Sequence, residues 1–493
     1  MTCPGYQKLS ERSREVHLVK STAALLEWDL ETYIPANAAA FRAEQLSYLG
    51  TKAHALFTKP IVGRWIKEAE DFGFAPESLE TANVREWRRA YDRAVKIPNS
   101  LVEKFEKTRI LAYDAWIGAR AESNFSKFRP HLEKIITLVR KKADRWGFQE
   151  SPYDALVEDY EPGIRASQLK PVFAELREAL KAIFGNATTK DVPEDFLDGS
   201  YPVPGQQSFS KEIAEAFGYD LKSGRIDTTT HPFMTTLGPC DQRITTRYND
   251  KRFEMSLYGT MHETGHALYE QGLPKEPVGA PTSDSVSLGI HESQSRLWEN
   301  HVGRTSEFWR LWHGTACKHL PDLARFSADD LARGVQRVAA SFIRVEADEV
   351  TYDLHILLRF EIEVELIEGR LKVKDLPEAW NSKFKELFGL DVPDDRRGVL
   401  QDVHWSHGTF GYFPTYTLGN LNAAQLMNAA QTQVPDLAGH LAQGRYQPLL
   451  EWLRGKIHQH GKHYLPQDLM QRATGETTQA KYRIEYLRRK YVG

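Results

Sequence analysis

Apolar residues recur at three- and four-residue steps through most of this chain, the period of an α-helix with one buried face. Between His131 and Trp146 the stripe is Leu132, Ile135, Ile136, Val139, Ala143 and Trp146, with Lys134, Arg140, Lys141 and Asp144 between them. A second stripe, Leu169, Val172, Phe173, Leu176, Leu180 and Ile183, begins after Ser167 and stops at Gly185-Asn186, residue types that suit a helix start and a helix end. Similar patterns predict helices over about 11–30, 37–57, 100–121, 328–368 and 376–389. Two stretches break the period. Residues 185–210 are rich in Gly, Pro, Asp and Ser and read as a long surface loop. Residues 225–248 are rich in Thr and alternate in QRITTRY, predicting two short strands around an LGPCD turn. The expected fold class is mostly α with one small antiparallel sheet, without internal repeats or low-complexity tracts.

Composition narrows the function classes. The 64 Lys and Arg nearly balance the 67 Asp and Glu, for a formal charge of -3, which excludes a basic nucleic-acid binder and a polyacidic tail protein. A 41% hydrophobic content supports a large core. Three scattered cysteines, Cys3, Cys240 and Cys317, are too few for a disulfide framework or a paired-cysteine metal site and read as reduced thiols. The first twenty residues are polar and show no signal-peptide core. No uninterrupted apolar run approaches ~18 residues, so no membrane span is expected. The expectation is a soluble cytoplasmic protein.

The segment from Glu254 to Leu273 carries the chemistry. It contains His262-Glu263-Thr264-Gly265-His266, an HExxH motif, flanked by Leu257, Met261 and Leu268 and stopped by Gly272 and Pro274. On a helix, residues four apart share a face, so both imidazoles can reach one cation. Glu263 stands beside the first histidine, where its carboxylate can take a proton from a water that the cation activates. Gly265 costs helix stability, about 1 kcal/mol relative to Ala, and so implies close approach of a strand or substrate. A catalytic zinc takes three protein ligands and one open position. Glu270 lies a further turn along, roughly 6 Å beyond His266, too far to share the ion. Glu276 and Asp284 fall in a Pro/Gly/Ser loop. Glu292 begins a new amphipathic helix and is favoured by spacing, with Glu299, two turns on, as the alternative.

At these residues the chain resembles the carboxypeptidase Taq family of metallocarboxypeptidases, over nearly its whole length. The similarity lies in LLEWDLETYIPANAAAFRAEQLSYL (25–49), in YDALVEDYEPG (153–163) and in His231-Pro232-Phe233. It continues in Asp241, Arg243 and Thr245 of a DxRxT motif, in HExxH at 262–266 and in His291-Glu292-Ser293-Gln294. A GxxQDxHW motif closes the series with Gly398, Gln401, Asp402, His404 and Trp405. The resemblance implies metal ligands at His262, His266 and Glu292, a general base at Glu263, and substrate-binding roles for His231 and Arg243. It also implies a single helical domain with a deep groove and a small sheet, a homodimer, and one zinc per subunit, with cobalt able to serve. The implied activity releases C-terminal residues of peptides with broad specificity.

Peptide hydrolysis further needs a donor for the tetrahedral oxyanion. The stretch 404–421, read as a loop with flexible Gly408, Gly411 and Gly419, offers His404, Tyr412 and Tyr416, with Tyr416 favoured. Reading a free C-terminal carboxylate calls for an arginine or a charged histidine. Arg243, Arg247 and Arg344 are candidates, Arg344 on a groove-facing helix (342–363) that also carries Tyr352 and His355. Asp402 reads as a partner that orients a ligand or His404. The alternatives are an oligoendopeptidase or dipeptidyl carboxypeptidase with the same centre, or a silent binding protein, against which the intact Glu263 and ligand set argue. Length alone suggests about three domains. Site residues running from His231 to Tyr416 must converge, however, which favours a single domain over 1–493, with about 1–125 flanking the groove and about 225–420 carrying the site.

Overall fold

The computed structural model describes residues 3–493; residues 1 and 2, at the head of the polar N-terminal segment, lie outside it. Five helices come first: α1 (Pro4–Thr32), α2 (Ala39–Phe57), α3 (Pro60–Phe72), α4 (Leu79–Lys96) and α5 (Asn99–Ala121). Pro4 and Pro60 open their helices, where a missing amide hydrogen is no loss and φ is already helical. Next come α6 (Phe125–Trp146), α7 (Pro152–Val157), α8 (Ala166–Asn186) and α9 (Val203–Phe217), then the sheet. After it run α10 (Phe253–Gly272), α11 (Leu288–Arg296), α12 (Ser306–His319), α13 (Ala328–Val335) and α14 (Thr351–Glu368). The chain ends with α15 (Leu376–Phe388), α16 (His404–His407), α17 (Pro414–Gln433), α18 (Leu437–Ala442), α19 (Gln447–Lys456), α20 (Pro466–Thr474) and α21 (Lys481–Tyr491). No helix of the described residues is long and apolar enough to cross a membrane.

The apolar stripes bury as their spacing requires. Leu132, Ile135, Ile136 and Val139 of α6 join Leu169, Phe173, Leu176 and Leu180 of α8 around α14, in a core that also takes Trp405 and Phe413. A second core gathers around α10, from Leu257 and Met261 to Trp298 and Leu449. Helix α17 serves both, giving Leu418 and Leu421 to the first and Ala423 and Leu426 to the second. A smaller cluster of Leu9, Val62, Ile66 and Trp87 ties α1, α3 and α4 together. The N-terminal helices also reach the later elements: Tyr33 donates to Asp227 at 2.6 Å, and Phe105 of α5 packs at Gly408.

Three expectations need correction. The sheet is mixed: β1 (Gly224–Thr228) runs parallel to the central strand β3 (Asp241–Thr246), and only β2 (Met234–Gly238) is antiparallel to it. The expected pair around LGPCD is β2 and β3, but the chain from β1 crosses to the far edge of β3 before turning back, which leaves β1 parallel. The long loop ends early, because Pro204 lies in the first turn of α9 and starts a helix rather than preventing one. The pattern over 328–368 is two helices, not one. Asp348 accepts the amide hydrogens of Val350 and Thr351 and the Thr351 hydroxyl, starting α14 afresh and leaving 336–350 largely irregular.

Candidate metal centre

The centre forms where α10 and α11 cross. His262 and His266 share a face of α10, their ring centroids 4.9 Å apart. Gly265 is the crossing point: a Cβ there would lie 2.5 Å from the Gln294 carbonyl oxygen and 2.6 Å from the Ser295 Cα. What demands the glycine is therefore a second helix, not a strand or substrate. That approach sets Glu292 Oε2 at 3.6 Å from His262 Nε2 and 3.4 Å from His266 Nε2. Helix α17 closes another side, since a Cβ at Gly419 would fall 2.3 Å from Glu292 Cγ. One ligand atom from each of His262, His266 and Glu292 lies within 4.8 Å of the others.

The outward nitrogens are occupied. His262 Nδ1 meets Glu299 Oε2 at 3.0 Å, and Glu299 is held by Arg296 at 3.2 Å and Arg304 at 3.1 Å. From Leu297 to Gly303 the helix widens to π geometry, which carries Glu299 onto this ring nitrogen. Glu299, the alternative ligand by spacing, thus stands behind His262 rather than in the triad. His266 Nδ1 meets His291 Nδ1 at 2.5 Å, and His291 Nε2 meets Glu270 Oε1 at 3.0 Å. Arg296 also donates to Glu292 Oε1 at 2.7 Å, leaving Oε2 turned to the imidazoles.

This donor set fits a divalent cation: two imidazoles and a carboxylate converge, and Glu263 Oε2 is buried beside them without a hydrogen-bond partner. Burial raises the Glu263 carboxyl to about 7, His262 opposing and Glu292 reinforcing. Burial opposes ionisation of Glu292 too, but Arg296 and the two imidazoles bring it well below the usual carboxylate range. Burial lowers His266 to about 3 and keeps it neutral, the form that ligates.

The remaining expected residues fall into two groups. His404, Tyr412 and Tyr416 cluster: His404 and Tyr412 have ring centroids 5.5 Å apart, Tyr412 and Tyr416 5.4 Å. Only Tyr412 lies in a loop, the connection between α16 and α17. His404 is on α16, and Tyr416 is in the first turn of α17, one turn before Gly419 and so on the Glu292 side. Burial lowers His404 to about 4 although Asp402 is 3.9 Å away. Arg344 joins them, 5.2 Å from the Tyr416 ring, but it sits in a 3-10 turn (Arg344–Glu346) rather than on α14. It is 6% exposed, bonded to Asp402 at 2.8 Å and to the Tyr352 hydroxyl at 3.1 Å. Asp402 therefore pairs with Arg344 and Arg359 first, and with His404 only distantly. His355 does not line the site; it is fully buried against Phe384 and Phe388.

The second group lies at the sheet. Arg243 is paired with Asp241 at 2.8 Å and stacked over Trp28 of α1. His231 is exposed in the connection from β1 to β2 and makes none of the contacts that join the first group. The HPF and DxRxT motifs hold one another: Phe233 donates its amide to Thr245 Oγ1 at 2.8 Å, and the Thr245 amide returns to the Phe233 carbonyl at 2.9 Å. Sequence reasoning missed His291 and Arg296 as parts of the centre. Both are close in sequence to Glu292, and His291 stood in view within HESQ. Glu363 was also missed; it accepts from Tyr153, Trp405 and the Gly411 amide and so anchors the turn that carries Tyr412.

A helical body whose HExxH helix is crossed by a second helix bearing a glutamate is the architecture of a metallopeptidase. The sequence model of the carboxypeptidase Taq (M32) metallopeptidases matches residues 8–491, and the chain belongs to that family. It is 44% identical to thermostable carboxypeptidase 1 of Thermus thermophilus, over 99% of this chain and 98% of that one. It is 36% identical to the protein of the same name from Pyrococcus furiosus, over 99% and 98%. Among solved structures, an M32 carboxypeptidase from Deinococcus radiodurans superposes with a TM-score of 0.95 at 38% identity, covering 99% of this chain and 98% of that one. A metallopeptidase of this family implies a divalent metal.

Proposed function

We propose that this metallocarboxypeptidase hydrolyses the C-terminal bond of peptides with broad specificity, using one zinc per subunit held by His262, His266 and Glu292, with cobalt an acceptable substitute. The observation that carries this reading is the convergent triad with the buried, unpartnered oxygen of Glu263 beside it. A divalent ion held by His262, His266 and Glu292 would supply polarisation of the scissile carbonyl and acidification of water. Glu263 takes the proton of the attacking water and returns it to the leaving amine nitrogen. Tyr416, its phenol kept protonated by burial, donates to the oxyanion, with His404 and Tyr412 supporting it. Arg344 keeps one N–H on each terminal nitrogen beyond its bonds to Tyr352 and Asp402, and these take the substrate carboxylate. Tyr412, His231 and Arg243 line the peptide's path.

We infer further that the described residues work as a single catalytic body and that the enzyme is a cytoplasmic homodimer acting on peptides with a free C-terminus. Convergence of α10, α11, α14 and α17 on one centre supports the first point, and the three unpaired cysteines support a reducing compartment. The deciding experiment compares a peptide with its C-terminal amide. Cleavage one residue at a time from the free acid, and none from the amide, is expected; equal cleavage of both would make the protein an oligoendopeptidase. Glu263→Gln should retain its metal and lose activity by about 10²-fold or more.

A further inference from the structure

We propose that His291 and Glu270 form a two-step tautomer lock on His266, making them positioning residues for the metal centre. The proposal rests on the reading of His266 as a ligand. An imidazole that ligates through Nε2 must carry its proton on Nδ1, and the hydrogen bond made by Nδ1 decides this. Behind His262 the acceptor is an ordinary carboxylate, Glu299. Behind His266 it is a second imidazole, which is amphoteric and could point either way.

If His291 carried hydrogen on Nδ1, His266 would be driven to the Nε2–H form, its proton aimed at Glu292 and its lone pair turned away from the triad. Glu270 removes that choice. Its carboxylate accepts only, and Oε1 lies 3.0 Å from His291 Nε2, so the His291 proton resides on Nε2. The lone pair of His291 then falls on Nδ1, 2.5 Å from His266 Nδ1, which must therefore donate. Thr236 of β2 donates to the other oxygen of Glu270 at 2.9 Å and fixes the carboxylate against the sheet. The chain β2–Glu270–His291–His266 thus transmits one polarity from the sheet to the metal face. It also gives Glu270 a role although it lies too far along α10 to ligate.

Two substitutions separate this from simple packing. Asn places its Oδ1 where His291 has Nδ1, keeping an acceptor; Leu fills similar space without one. Metal dissociation constants are measured by competition with a chromophoric chelator, with folding checked on metal-free protein by thermal melting. His291→Leu is expected to bind zinc about 10- to 100-fold more weakly, and His291→Asn within about threefold of the parent. Equal affinity for parent and His291→Leu overturns the proposal, as does equal weakening in both variants. His266→Ala is the control for the underlying reading: retention of full affinity there removes the centre itself.

Discussion

The Tyr416 ring is half-buried beside Tyr352 and Tyr412, and desolvation, followed by those two hydroxyls, raises its pKa well above 10, so it stays a donor across any working pH. In the proposed role of oxyanion donor it would contribute to the transition state and not to folding. Tyr416→Phe should lower kcat by about 10²- to 10³-fold with KM and the melting temperature little changed. If kcat falls less than Tyr412→Phe or His404→Gln makes it fall, the donor is one of those. At this scale the sequence was legible where function and spacing coincide, as in HExxH. It was not legible at His355, whose place in a polar run looked functional although it packs among phenylalanines.

The centre is an intersection of helices, and Gly265 sets how closely α10 and α11 approach. Because the atoms a Cβ would strike are backbone atoms of α11, neither helix can yield by a rotamer change. Gly265→Ala should therefore cost about 1–3 kcal/mol of stability, despite Ala being the better helix former. It should also weaken metal binding, because Glu292 moves with α11. Melting curves with and without metal test both, and an unchanged or higher melting temperature contradicts the crossing as described. Helix periodicity predicted α6, α8, α10 and α15 well. It failed over 328–368 because apolar spacing continues across the break, while the fresh start of α14 is set by bonds to the Asp348 side chain.

Across the whole molecule, buried histidines tie stability to pH. Burial lowers His301 to about 3, with Glu349 opposing and Arg483 and Lys490 reinforcing. Burial likewise lowers His458 to about 3, with Arg454 reinforcing. In the unfolded chain both titrate near 6.5, so below that pH the unfolded state binds protons that the fold refuses. Their contribution is complete above about 6.5 and declines as pH falls towards 3, by up to about 1.4 kcal/mol per pH unit per group. Urea midpoints should fall between pH 7 and pH 5, and His301→Gln should flatten that slope by about one proton; an unchanged slope contradicts it.

The sequence by itself determined the helical class, the HExxH helix, and the short list containing Glu292 and Glu299, because these are local matters of period and spacing. Spacing left both glutamates open and the motif resemblance favoured Glu292; the tertiary structure groups Glu292 with His262 and His266 and sets Glu299 behind His262. The two glutamates lie seven residues apart on one continuing helix, and a change to π geometry turned the second onto the back of His262. It also decided the direction of β1, the pairing of Arg344 with Asp402, and the meeting of His266 with His291 across two helices. Each of these is a contact between segments whose separation along the chain carries no periodic signal.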